Sequence, residues 1–249
     1  MSGHSKWSSI KHKKGAADAK RGKLFARLIR GIESAAKVGG ANPEGNPTLT
    51  DAIQKARDAS VPKDNIERAL KRASGDADGV SYETVHYEGY APGGVALYVE
   101  CLTDNRNRAA NDVRAAFNKN GGSLAAPGAV NYLFTRTGVV IVPATSTTED
   151  NVLLAGLEAG ISDVVQEGDS FTVTTEPNDV YAVRAALEEA GIGVASSEVT
   201  MLPSVSVAIT EESSAKAVLR LVEALEDCDD VQNVYANFDI PDRLLEAVA

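Results

Sequence analysis

Residue types that do covalent chemistry are scarce in this chain. His86 and Glu88 alternate on one strand-like segment, and Cys101 lies on the next. A cysteine, a histidine and a carboxylate brought together would supply a nucleophile, a base and an orienting group. One polar strand face explains His86 and Glu88 equally well, and a free cysteine is ordinarily a small buried hydrophobe. The weight falls on that second explanation. The three histidines, His4, His12 and His86, are too scattered for a metal site. No H-E-x-x-H, C-x-x-C, EF-hand, P-loop, G-x-G-x-x-G or G-x-S-x-G pattern occurs. The expectation is a non-enzyme without cofactor or metal.

Binding chemistry is far better represented. Residues 1–37 carry ten Lys/Arg against two acids, Asp18 and Glu33. Lys6, Lys11, His12, Lys13 and Lys14 sit in a Ser/Gly-rich stretch that makes a poor core and is expected to form an exposed arm. Clustered lysines gain affinity for phosphate by releasing condensed counterions, a salt-dependent gain that carries little sequence information. Trp7 lies inside the basic run. It either stacks on a base, which contributes about 1–3 kcal/mol, or folds back as an anchor on the helices. Beyond the arm, Lys20, Lys23, Arg27, Arg30 and Lys37 recur at helical spacing over an arc of roughly 100°, while Arg21 projects toward the apolar side.

The formal net charge of −10 averages two opposite parts. Residues 1–80 hold 16 Lys+Arg and 9 Asp+Glu, whereas residues 81–249 hold 9 and 26. A basic piece that meets a polyanion and an acidic, solvated remainder fit this contrast. A second candidate patch is Leu102-Thr-Asp-Asn-Arg-Asn-Arg108, at a strand-to-helix junction. Helix N-termini favour anions, and Asn105, Arg106, Asn107 and Arg108 would add donors and charge. Alternatively, Asp104 caps the helix and the arginines pair with acidic neighbours. Gly121 to Gly128 reads as a helix stop followed by a flexible loop.

These residues need elements to hold them. A helix is expected from Ala16 to Val38, with Leu24, Leu28, Ile32 and Ala35 inward and a stop at Gly39-Gly40. Thr48-Leu-Thr-Asp51 resembles a capping signal for a second helix, ending near Val61-Pro62, and Asp64-Asn-Ile-Glu67 opens a third. After Val80 the pattern changes to strands over 82–88, 95–102 and 130–134, with a helix over 105–119. The segment 139–201 then reads β-α-β-β-α-β, the split βαβ of ferredoxin-like domains. A strand at 205–209, a helix at 213–226 and a strand at 231–238 are too few to stand alone and would complete the unit begun at Tyr82.

The expected fold is therefore α+β: a helical three-helix N-terminal domain, then two α+β domains, the last ferredoxin-like and inserted into the middle one. The expected domains are 1–79, 80–136 with 204–249, and 137–203. No apolar run approaches the ~18 residues of a membrane helix, and two cysteines make no disulfide framework. A cytoplasmic location, no membrane partner and a monomer are expected.

Met1-Ser-Gly-His-Ser-Lys-Trp7, Lys13-Lys14, Pro62-Lys-Asp-Asn-Ile-Glu-Arg68, Tyr87-Glu-Gly-Tyr-Ala-Pro-Gly-Gly-Val95 and Leu102–Arg108 together resemble the YebC family along essentially the whole chain. Ala109 departs from the Thr expected there. The resemblance implies three domains and the label of transcriptional regulator with DNA binding. Relatives in mitochondria are translational activators of cytochrome oxidase, and bacterial members are linked to ribosomes stalled on proline-rich sequences. So DNA, or ribosomal RNA or tRNA on the ribosome, is the implied partner. Carried over, the basic positions are Lys6, Lys11, Lys13, Lys14, Arg21 and Lys23, with Arg106 and Arg108 as a second patch.

Overall fold

The computed structural model describes residues 18–74, 82–241 and 243–245. It is α+β, and the described residues group into two compact units. One gathers residues within 1–27, 78–135 and 202–249; the other gathers 28–77 and 136–201. Among the described residues no helix is long and apolar enough to cross a membrane.

Helix α1 (Asp18–Gly39) is rich in Ala, Leu, Lys and Arg and holds no proline, which favours the helical backbone. Ile32, Ala35 and Ala36 are buried. The helix stops where Gly40 takes a φ of +89°, the left-handed cap that glycine adopts without steric cost. Helix α2 (Pro47–Asp58) does not use the anticipated Thr48–Asp51 capping signal. Pro47 occupies the first helical position, and buried Asn46 caps it by accepting from the Leu49 N–H at 3.1 Å. The Asn46 amide also donates to the carbonyls of Ala35 and Gly40, both at 2.9 Å, which satisfies the open end of α1. Helix α3 spans Lys63–Ser74.

In the unit of 28–77 and 136–201, strands β4 (Phe134–Pro143), β5 (Ile161–Glu167), β6 (Ser170–Thr175) and β7 (Ser196–Pro203) form one sheet in the order β5-β6-β4-β7. Helices α5 (Glu149–Gly156) and α6 (Val180–Glu189) supply the crossovers, so the split βαβ pattern has the ferredoxin-like strand order. Val140 and Val142 of β4 stand opposite Val173 and Phe171 of β6, on the face that meets Val152, Val180, Val183 and Leu187.

Strand β7 is an edge of this sheet, and its free backbone groups are taken by side chains of α2. Asp51 accepts from the Val199 N–H at 3.0 Å and from the Tyr181 hydroxyl at 2.7 Å. The Lys55 ammonium donates to the Val199 carbonyl at 2.9 Å and pairs with Asp51 and Glu198. Burial alone would lower the Lys55 pKa; the two carboxylates outweigh it and hold the ammonium charged. Asp58 accepts from the Ser197 N–H at 3.1 Å and pairs with Arg184 at 3.2 Å.

In the other unit, β1 (Glu83–Tyr90), β2 (Ala96–Thr103), β3 (Ser123–Leu124) and β9 (Val231–Ala236) form an antiparallel sheet ordered β3-β1-β2-β9. Helices α4 (Arg106–Lys119) and α7 (Glu212–Glu226) bury Val113, Phe117, Val218, Leu221, Val222 and Leu225 against Leu97, Val99 and Val234. The short strands β8 (Val207–Ala208) and β10 (Phe238–Asp239) pair in parallel. The strand expected over 130–134 is a single 3-10 turn at Asn131–Leu133, because Glu88 takes the N–H groups of Val130 and Asn131. Gly121 and Gly122 do stop α4. Gly121 has φ +74°, and a Cβ on Gly122 would lie 2.6 Å from Leu221. The loop beyond them, expected to be flexible, is instead clamped by Glu88 through the Gly128 N–H.

An Asp58→Ala variant strips Ser197 of its acceptor and leaves Arg184 with only Glu188 among its carboxylate partners. Urea unfolding is expected to show a loss of about 3 kcal/mol. A change under about 0.5 kcal/mol, the size of an ordinary surface substitution, would show that α2 does not secure the β7 edge.

Candidate nucleic-acid interface

The arm residues Lys6, Trp7, Lys11, His12, Lys13 and Lys14 lie outside the described residues, and of Lys20 only the backbone, within α1, is described. The rest of the basic stripe is visible. Arg21 is exposed and its guanidinium stands 5.3 Å from the Phe25 ring centroid, so its lean toward the apolar side becomes a cation–π contact. Lys23 is exposed and makes a long 3.5 Å contact to the Asp227 carbonyl, near the C-terminal end of α7. Arg27 and Arg30 are half-buried.

The second candidate patch is built differently from the anion site anticipated for it. Asn105, not Asp104, caps α4, accepting from the Arg108 N–H at 3.1 Å. Arg106 pairs with Glu83 at 2.7 Å, and the hydrogen bond and charge of that carboxylate raise its pKa. Arg108 donates to both oxygens of Asp230, at 3.0 and 2.9 Å, and to Asp104 at 2.7 Å. Asp230 is buried and also accepts from the Thr103 hydroxyl at 3.0 Å. The two arginines are thus committed to carboxylates. Arg108 compensates a buried charge that would otherwise be very costly. Asn107 is exposed beside them. Sequence reasoning missed Asp230 because it lies over 120 residues away.

The structure does not bring His86, Glu88 and Cys101 together. Val85 is the cross-strand partner of Cys101, and Glu100 is that of His86, so the thiol and the imidazole project from opposite faces of the sheet. Cys101 sits in the hydrophobic core, where burial pushes its thiol up to about 12. It holds no thiolate at neutral pH. His86 is exposed and stacked on Tyr98, with centroids 5.2 Å apart.

Glu88 is a clamp. Its carboxylate accepts from the N–H groups of Gly128 at 2.7 Å, Val130 at 2.6 Å and Asn131 at 2.9 Å. Burial would raise its pKa, but these backbone donors outweigh burial and hold it below the usual carboxylate range. The clamp shapes the loop that carries Tyr132, which is 71% exposed. Among the described residues no group of three or more His, Cys, Asp or Glu is arranged to hold a metal ion.

Glu88→Gln is expected to destabilise the fold by about 2 kcal/mol at neutral pH. A group with a depressed folded pKa contributes stability above its unfolded pKa and loses it as pH falls through the folded one. The gap between wild type and variant should therefore close on acidification below about pH 4; a gap independent of pH refutes the clamp. Arg108→Ala should lower the urea midpoint yet leave the salt slope of nucleic-acid binding unchanged, and a flatter slope would return Arg108 to the interface.

Comparison with known proteins agrees with this architecture. Residues 5–76 match the family described as the TACO1/YebC protein N-terminal domain, and residues 82–238 match the TACO1/YebC second and third domain. A protein of Thermobifida fusca named "Probable transcriptional regulatory protein" is 60% identical over 250 residues, covering all of both chains. One of the same name from Salinispora tropica is 60% identical over 98% of each chain. The crystal structure of a conserved hypothetical protein from Aquifex aeolicus is 46% identical, covers 90% of this chain and 93% of its own, and superposes with a TM-score of 0.79. With both halves matched and full-length relatives at this identity, the chain belongs to the TACO1/YebC family.

Proposed function

We propose that the protein is a non-enzymatic regulator of gene expression that grips nucleic acid through the basic arm and the first half of α1. The observation that carries this reading is the charge contrast: 16 Lys+Arg against 9 acids in residues 1–80, and 9 against 26 in the remainder. The pairing of Arg106 and Arg108 with Glu83, Asp104 and Asp230 narrows the basic surface to the N-terminal segment. The names of the relatives favour regulation of transcription, and in this reading the polyanion is DNA. In this reading the protein is a cytoplasmic monomer of three parts, residues 1–79, 80–136 with 204–249, and 137–203, and only the first meets nucleic acid.

A second reading puts the same surface on ribosomal RNA or tRNA, as a translation factor. It is favoured by the composition of the arm: residues 1–15 hold four lysines and no Arg, Asn or Gln to make bidentate contacts with base edges. Phosphate contacts of that kind suit a structured RNA particle as well as a promoter.

The deciding experiment is co-sedimentation of a lysate through a density gradient, wild type beside Lys11→Ala/Lys13→Ala/Lys14→Ala. Wild type travelling with ribosomes while the variant stays at the top assigns the arm to ribosomal RNA. Both staying at the top in low salt removes the ribosome and leaves DNA. On purified duplex DNA the variant should flatten the log–log salt slope by about 2.7 if all three lysines touch phosphate. An unchanged slope removes the arm from the contact.

A further inference from the structure

The ferredoxin-like segment carries an unpartnered helix surface with a distinctive charge setting. Residues 137–203 hold eleven Asp and Glu and one cation, Arg184, which is committed to Asp58 and Glu188. Helix α5 packs Val152 and Gly156 inward. Its other side shows Leu154, 83% exposed, and Leu157, 63% exposed. Leu157 keeps helical dihedrals and its N–H bonds to the Leu153 carbonyl, so the two leucines stand three residues apart on one face. Asp150, exposed, lies one helical turn before Leu154, and Glu158, also exposed, follows Leu157 in the turn that ends the helix. The result is an apolar pair with an acid on either side, on a compact unit in which 18 acids outnumber 10 cations.

We propose that this face of α5 docks a basic protein segment, one whose apolar side chains cover Leu154 and Leu157 while its flanking lysines or arginines meet Asp150 and Glu158. The charge selects the occupant. The compact unit as a whole holds 18 acids against 10 cations, and no Lys or Arg falls between Arg136 and Arg184, so the surroundings of α5 disfavour nucleic acid and anionic lipid and attract cationic chains. The leucines select among cationic chains, because a purely hydrophilic one would leave them wet. Asp150 to Leu157 spans roughly 10 Å of helical rise, which a short amphipathic segment covers. None of these residues belongs to the basic N-terminal segment, so on the proposed function the protein would hold a polyanion with one part of its sequence and a basic polypeptide with another.

The test uses the full-length protein and a fluorescein-labelled 14-residue peptide of leucine and lysine at helical spacing, read by anisotropy at low salt. Wild type is expected to bind. Leu154→Ser/Leu157→Ser, at two exposed positions, should weaken binding about tenfold or more with an unchanged circular dichroism spectrum. Asp150→Asn/Glu158→Gln should weaken it and reduce its salt dependence. The proposal is overturned if the leucine variant binds within about twofold of wild type, or if a leucine–glutamate peptide binds as well. It is equally overturned if wild type sediments as a dimer that the leucine variant abolishes, since the occupant is then a second copy. Because the readout involves no nucleic acid, a failed arm experiment leaves this result standing.

Discussion

The edge of a β-sheet is a row of unpaired donors and acceptors, and one such edge organises the unit built from residues 28–77 and 136–201. Three side chains of α2, at i, i+4 and i+7, do for β7 what a further strand would do. Asp51 and Asp58 accept from its N–H groups and Lys55 donates to its carbonyl, so a helix is fitted to a sheet edge through polar groups. Each charge is also balanced by another: Lys55 by Asp51 and Glu198, and Asp58 by Arg184. Helices that carry much of the basic half of the sequence are thereby secured to a segment that carries much of the acid.

The same economy recurs in the other unit. Glu88 and Asp230 are buried carboxylates, and each is neutralised locally, one by backbone N–H groups and one by Arg108 and Thr103. A carboxylate beside a histidine, or paired arginines at a helix start, resemble chemistry when the chain is read linearly. In three dimensions both sets hold backbone in place. The buried ion pair at Asp230 fixes the junction of β2 and α4, and the Glu88 clamp replaces a strand with a tight turn.

Much of the architecture was legible because period and punctuation agree. The alternation over 82–88 and 95–102, the helical stripe of α7 and the β-α-β-β-α-β order of 139–201 carry signals of several residues each, whereas the order of the strands within each sheet is set by long-range pairing and is seen only in the structure. Short features failed where one side chain overrode a local tendency. Val130–Phe134 has β-rich composition, yet Glu88, more than 40 residues away, takes its donors. Thr48 resembled a cap, yet Asn46 and Pro47 lie two and one residues earlier and fit α1 as well. Nothing local marks Asp51, Lys55 and Asp58 as partners of a strand edge, because that edge lies some 140 residues downstream. The basic stripe of α1 was evident from spacing alone, whereas the fate of Arg108 depended on a partner at the far end of the chain.

The pairing of β2 with β9 has a temporal side. Cys101 lies opposite Val231, so the central strand of that sheet waits for a neighbour some 130 residues downstream. At the usual pace of about 5–20 residues per second, a translating ribosome needs roughly 6 to 26 s to deliver it. During that interval β1 and β2 can form their hairpin, but β2 keeps a bare side, and the nascent polypeptide between them is long enough to fold its own β-α-β-β-α-β sheet first. Vectorial synthesis therefore delivers all four strands of the β5-β6-β4-β7 sheet before β9, and a pause in decoding that intervening stretch prolongs the exposure of β2.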